Sequence, residues 1–102
     1  MATATSHDHH EILRINKHEI AEKLTLLSLV LDKLVAFNAI TSNDMRNVAA
    51  ERTDCEKATA LVELLQRKSD KAFLDFITVL RETKQDYIAD MLEGIYHYSI
   101  IK

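Results

Sequence analysis

Apolar residues recur along this chain at three- and four-residue spacing, the period of one face of an α-helix. Six such stripes can be placed. The first covers about Asp8 to Leu24, with Leu13, Ile20 and Leu24 on one side and Arg14, Lys17, Glu19 and Glu22 left for water. The second, from about Leu26 to Phe37, carries Leu27, Val30, Leu31 and Leu34. Leu26 and Leu29 widen that stripe, which predicts a central helix touching neighbours on more than one side. Thr41-Ser42-Asn43-Asp44 offers a cap with an acid three residues on, a weaker variant of the capping box, ahead of Met45, Val48 and Ala49. Thr53-Asp54-Cys55-Glu56 is a full capping box and opens a fourth helix with Ala58, Leu61, Val62 and Leu65 inward. Ser69-Asp70 opens a fifth, with Phe73, Phe76, Ile77 and Leu80 inward. The stretch Thr83 to Asp86 opens a sixth, with Ile88, Met91, Leu92 and Ile95 inward. Connections of two to four residues predict neighbours that pack antiparallel or at steep angles.

Composition strengthens this picture. One glycine, Gly94, and no proline in 102 residues remove what most β-turns and hairpins depend on, while sparing helices. The expected class is therefore all-α, a six-helix antiparallel bundle in one domain. One glycine also excludes a dinucleotide-binding fingerprint, a P-loop and a glycine-rich kinase loop, each of which needs several for close approach of backbone to phosphate. Thirteen basic against sixteen acidic residues leave a net charge of −3, with no basic excess to suggest nucleic acid. The most apolar run, Leu24 to Leu31, is cut by Asp32 and Lys33 well short of the roughly 20 residues that a membrane span needs. A lone cysteine and a polar opening without a secretory core point to a reducing interior, and the expected location is cytoplasmic.

Candidate chemistry is sparse. His7, His9 and His10 around Asp8 have ligand types that suit zinc, copper or nickel, but a fraying terminus is a poor place to fix three or four ligands. A solvated helix start is the favoured account, and no metal or cofactor is expected. Cys55 falls in the first turn of the fourth helix, where the helix dipole can activate a thiol, and His18 or His97 could reach it only through the fold. Without an oxyanion hole or a cleft, it reads as a structural thiol, and nothing argues for an enzyme. The carboxylates Asp75, Glu82, Asp86, Asp90 and Glu93 are spaced as solvent-facing partners of Lys71, Arg81 and Lys84. Residues 25–51 sum to −1 and residues 52–68 to +1, a slight polarity of the kind that lets a module associate head to tail.

The ordered series of segments resembles a caspase recruitment domain (CARD), a six-helix member of the death-fold superfamily with Greek-key topology. The segments are His10-Glu11-Ile12-Leu13 to Lys17, Leu29-Val30-Leu31-Asp32-Lys33-Leu34, Ala39-Ile40-Thr41, Lys57-Ala58 with Leu61 to Leu65, Lys71 to Phe76, and Leu80-Arg81-Glu82-Thr83-Lys84-Gln85. The last, followed by Asp90-Met91-Leu92, is most similar to the prodomain of caspase-two-type initiator caspases. On this resemblance the chain divides into a flexible N-terminus at 1–7, a CARD at 8–94 and an apolar tail at 95–102 that extends helix six.

The resemblance implies binding to CARD-containing proteins, an initiator caspase or an adaptor, through complementary charged faces, with self-association also open. Basic positions of helices one and four would be Arg14, Lys17, Arg52 and Lys57; acidic positions of helices two and three would be Asp32 and Asp44. Two departures stand out: Gln66-Arg67-Lys68-Ser69-Asp70 lacks the glycine usual after helix four, and the opening of helix three is short and polar. Because the chain opens on a methionine and stops eight residues past Gly94, it is expected to be a stand-alone CARD-only regulator of host or viral origin that inhibits apoptotic or innate-immune signalling. The alternative is the prodomain of a caspase-two-like initiator caspase, which would recruit rather than block.

Overall fold

The computed structural model describes residues 8–101, with side chains through Gly94. Six helices follow one another: α1 (His9–Lys23), α2 (Leu27–Ala36), α3 (Ser42–Ala49), α4 (Asp54–Gln66), α5 (Asp70–Glu82) and α6 (Asp86–Ile101). No strand occurs among the described residues. The all-α expectation holds.

Hydroxyl and acid caps start four of these helices. Asp8 accepts the Glu11 N–H at α1, and Ser69 accepts the Ala72 N–H at α5. Thr53 and Glu56 close both halves of a capping box at α4. Thr41 and Asp44 do the same at α3, so the box read as a weaker variant is complete: an aspartate at the third position reaches back to the cap N–H as a glutamate would.

Helix ends show how a nearly glycine-free chain turns. Asn38 and Lys84 take left-handed backbone angles, φ 64° and 65°, directly after the last turns of α2 and α5. The Ala39 N–H bonds to the Leu34 carbonyl and the Gln85 N–H to the Leu80 carbonyl, the long-range bond of a Schellman motif in both cases. Asparagine tolerates that geometry; lysine adopts it at some cost. The α4–α5 turn, where the sequence lacks the usual glycine, avoids the left-handed region, because Arg67 and Lys68 donate to Leu64 and Leu65 and Ser69 at once caps α5. Connections run from three to five residues, one longer than expected at α2–α3.

The core is built from the expected stripes. Leu61, Val62 and Leu65 of α4, Phe73, Phe76, Ile77 and Leu80 of α5, Val30, Leu31 and Leu34 of α2, and Ile88 with Leu92 of α6 are all buried in one cluster with Ile12, Leu13 and Ile20 of α1, and Ala58 of α4 is buried as well. The α1–α4 pair makes the most extensive contact and is antiparallel, with His10 of the first turn of α1 beside the last turn of α4.

Two readings of detail change. Leu26 and Leu29 do not widen a buried stripe; they are 56% and 43% exposed, because α2 turns Leu27, Val30, Leu31 and Leu34 inward. Thr83 does not open α6. It is buried at the end of α5, donating to the Val79 carbonyl and accepting from Gln85 Nε2. Gln85 itself is buried and clasps Thr25, its Oε1 accepting the Thr25 N–H at 2.8 Å and its Nε2 donating to the Thr25 carbonyl at 3.0 Å, which fixes the α1–α2 connection. The expected flexible N-terminus at 1–7 and the packing of side chains in the tail from Ile95 onward lie outside the described residues.

Candidate protein-interaction site

The charged residues singled out from the sequence fall into two groups. Arg14, exposed on α1, is held by Glu11 one turn back, with Nε at 3.0 Å and Nη2 at 2.5 Å, and this carboxylate raises the guanidinium pKa. Lys17 reaches across to Glu63 of α4 at 3.0 Å. Asp44 accepts the Thr41 N–H at 3.0 Å and pairs with Lys68 Nζ at 2.9 Å. The Thr41 N–H, with help from Lys68, holds the Asp44 carboxyl below the usual aspartate range despite partial burial. These three are engaged within the molecule.

Arg52, Lys57 and Asp32 form the other group. Among the described residues, none of their side chains has an ion-pair partner. Arg52 stands exposed in the α3–α4 connection, where its backbone N–H is drawn to Glu56, and Lys57 sits half-buried one turn into α4. Asp32 is exposed on α2. Lys57 and Glu63 are six residues apart on α4, about 9 Å along the axis, so the free and the neutralised parts of the expected basic face are neighbours. Glu51 and Asp54, which the sequence reading passed over, are also exposed and unpaired among the described residues.

Elsewhere charges close on one another. Lys33 pairs with Glu82, Lys71 with Asp75, and Arg81 with Asp86, Asp90 and Glu93; Glu93 first and then Asp90 raise the Arg81 pKa. Tyr87 donates to Glu19 at 2.9 Å, a bond that pushes the phenol pKa up, and joins α6 to α1. Asp75, Asp86, Asp90 and Glu93 are thus partners of Lys71 and Arg81, as their spacing suggested, whereas Glu82 turns to Lys33 of α2 and Lys84 makes no ion pair among the described residues.

The histidine tract has a structural place. His9 Nε2 donates to the Lys68 carbonyl at 2.7 Å, its Nδ1 meets Asp70, and its ring lies 5.8 Å from that of Phe73. His10 donates to the Gln66 carbonyl at 3.2 Å. Both therefore cap the end of α4 from the start of α1, satisfying carbonyls that the helix leaves open. His7 lies outside the described residues. Among those described, no group of three or more metal-ligating side chains converges. Cys55 is exposed in the first turn of α4, and the structural-thiol reading needs correcting to a surface thiol, because the inward stripe of α4 begins only at Ala58.

A six-helix bundle with a capped α4, charged outer faces and no convergent ligand set is a frame for protein contact. The family model for the caspase recruitment domain matches residues 10–94. The chain belongs to the CARD family. A CARD is a homotypic protein–protein interaction module, so CARD-containing proteins are its partners. No described helix of this CARD is long and apolar enough to cross a membrane.

Proposed function

We propose that this CARD binds the CARD of an initiator caspase or an adaptor in the cytoplasm and, by occupying its charged face, blocks the assembly that drives apoptotic or innate-immune signalling. Arg52 and Lys57 form the basic contact and Asp32 the acidic one. The observation that carries this reading is the division of the six expected contact charges: Arg14, Lys17 and Asp44 are engaged internally, whereas Arg52, Lys57 and Asp32 have no ion-pair partner among the described residues. A charge without an internal partner keeps its full interaction for an incoming one. Lys17 and Glu63 remain substantially exposed and can exchange partners at small cost, since such a pair contributes only about 0–1 kcal/mol.

The test is co-precipitation against a panel of caspase and adaptor CARDs. Arg52→Glu is expected to abolish binding through the partner's acidic face with the fold intact, and Asp32→Lys to disable the opposite face. Raising salt above 0.1 M, where the Debye length is about 10 Å, should weaken the complex. Binding that survives both reversals and is indifferent to salt defeats the charged-surface mechanism. Addition of the chain to a reconstituted caspase assembly should lower caspase activation; a rise would reverse the proposed sign.

A further inference from the structure

Three hydroxyls among the described residues have an acid three positions on: Thr41 with Asp44, Thr53 with Glu56 and Thr83 with Asp86. Acids just C-terminal to a hydroxyl attract a kinase whose substrate site is basic, by charge complementarity. The three positions are not alike. Thr83 is buried at the end of α5, and at Thr41 the acid is already neutralised, since Asp44 pairs with Lys68 at 2.9 Å. Thr53 differs on both counts. It lies within 49–56, the longest unbroken run of exposed residues among those described, and its backbone is already extended, at φ −115° and ψ 160°. Asp54 and Glu56 follow it, and neither has an ion-pair partner among the described residues. The Thr53 Oγ1 accepts the Glu56 N–H at 3.0 Å, a bond that uses a lone pair of the hydroxyl and not its proton.

Two bases bracket this hydroxyl. Arg52 precedes it, and Lys57 stands one turn above, its N–H bonded to the Thr53 carbonyl at 2.9 Å. Neither base has an ion-pair partner among the described residues, and both are bases of the proposed contact. We infer that Thr53 is a phosphorylation site for an acid-directed serine/threonine kinase, and that its phosphate switches the basic contact off. The inference rests on the proposed function for the identity of that contact. In the reaction the Thr53 oxygen bonds to the γ-phosphorus of magnesium ATP, the bond from that phosphorus to the bridging oxygen breaks, ADP leaves, and the hydroxyl proton passes to the kinase's catalytic base.

Charge decides the outcome. Residues 51–57 hold two bases and three acids, and a phosphate adds about −1.5 to −2 at neutral pH. Arg52 and Lys57 then turn to the phosphate, and a face that drew an acidic partner repels it. The fold is kept, because a phosphate oxygen takes over the Glu56 N–H at the positive end of the α4 dipole. Asp32, on α2, is untouched, so the modification acts on one face alone.

To test this, the full chain is treated with an acid-directed serine/threonine kinase and magnesium ATP, and the product is mapped by fragment mass spectrometry, with circular dichroism confirming the fold. Phosphate is expected on Thr53 and not on Thr41 or Thr83, and Thr53→Asn, which keeps the cap, should abolish it. Phosphorus NMR of the product reports the two bases: Arg52→Gln and Lys57→Gln should each move the phosphate titration to higher pH, since each removes a cation that favours the dianion. Binding to the CARD of a caspase-two-type initiator caspase is then measured on variants that keep one face. In Asp32→Lys, where the basic face remains, phosphorylation should weaken binding about tenfold or more; in Arg52→Glu it should leave binding within about twofold. Phosphate on Thr41 in place of Thr53, a titration indifferent to both bases, or equal binding before and after phosphorylation of Asp32→Lys would each overturn the proposal. An unmodified chain that binds no CARD defeats the contact reading, and the kinase reaction with the phosphorus titration still decides whether Thr53 is the site.

Discussion

The two ends of α4 contrast within a single helix. At its C-terminal end most charges and several carbonyls are answered: Glu63 by Lys17, its carbonyl by Arg67, the Gln66 carbonyl by His10, the Lys68 carbonyl by His9, and Lys68 itself by Asp44. At its N-terminal end Asp54 and Lys57 have no ion-pair partner among the described residues, Cys55 is exposed, and two leucines of α2 stand open beside them. Both ends sit on the same buried stripe from Ala58 to Leu65. The lesson is a division of labour along one element, with stability concentrated where charges are closed and recognition where they are left open.

If that division is right, the largest effects on folding should come from the stripe and little from the exposed side chains of the open end. Phe76, fully buried on α5 against this core, should lose about 3–5 kcal/mol on replacement by alanine, most of the stability of a domain this size. Leu29→Ala, at an exposed position beside the open end, should change stability by no more than about 0.5 kcal/mol. Urea denaturation of both variants measures this directly, and comparable losses at the two sites would erase the contrast.

A smaller effect should come from the polar clasp at the open end. Gln85 is the buried side chain that holds Thr25, and Gln85→Ala leaves the Thr25 N–H and carbonyl without that partner, at a cost of about 1–3 kcal/mol. Amide exchange at Thr25 should accelerate in the variant; unchanged protection would show that the α1–α2 connection is held otherwise.

Much of this was readable from spacing. The stripes of α4 and α5 are legible because a buried helix face imposes its period on sequence, and Ala58, Leu61, Val62, Leu65, Phe73 and Phe76 obey it. Leu26 and Leu29 misled because hydrophobicity reports affinity for an apolar surface without saying whether that surface belongs to the same chain. The fate of Lys17 and Asp44 was invisible for another reason: Glu63 is 46 residues from Lys17, and only the antiparallel α1–α4 packing brings them together. Thr83 shows the third limit, since a hydroxyl before a helix and a hydroxyl ending one look alike when three residues separate the helices.

Acid titration probes the closed end. Asp44 has its carboxyl pKa lowered in the folded state, chiefly by the Thr41 N–H. Its stabilising contribution is therefore complete above the unfolded value of about 3.9 and is lost as pH falls through the lower folded value. Asp44→Asn should lower stability at neutral pH and flatten the acid limb of the stability curve below pH about 4. An acid limb of unchanged slope would mean that other carboxylates carry it.

The smallest effects test whether strain at the open end has a purpose. Lys84 and Leu26 both hold left-handed angles, but Lys84 closes a Schellman turn while Leu26 walls an open groove with Asp54 and Lys57. Glycine relieves the backbone at either position, offset by the greater freedom it gives the unfolded chain, so each replacement should raise stability by only about 0.5 kcal/mol. Lys84→Gly should leave binding to a partner CARD untouched, because its side chain is not among the contact charges. Leu26→Gly should gain similar stability and weaken that binding, since the apolar wall beside Lys57 goes with the side chain. That pairing of a stability gain with a binding loss is what a residue kept for contact predicts. Paired measurements of melting temperature and association constant decide it, and a Leu26→Gly variant that binds a partner CARD like wild type would leave the strained leucine without a role in recognition.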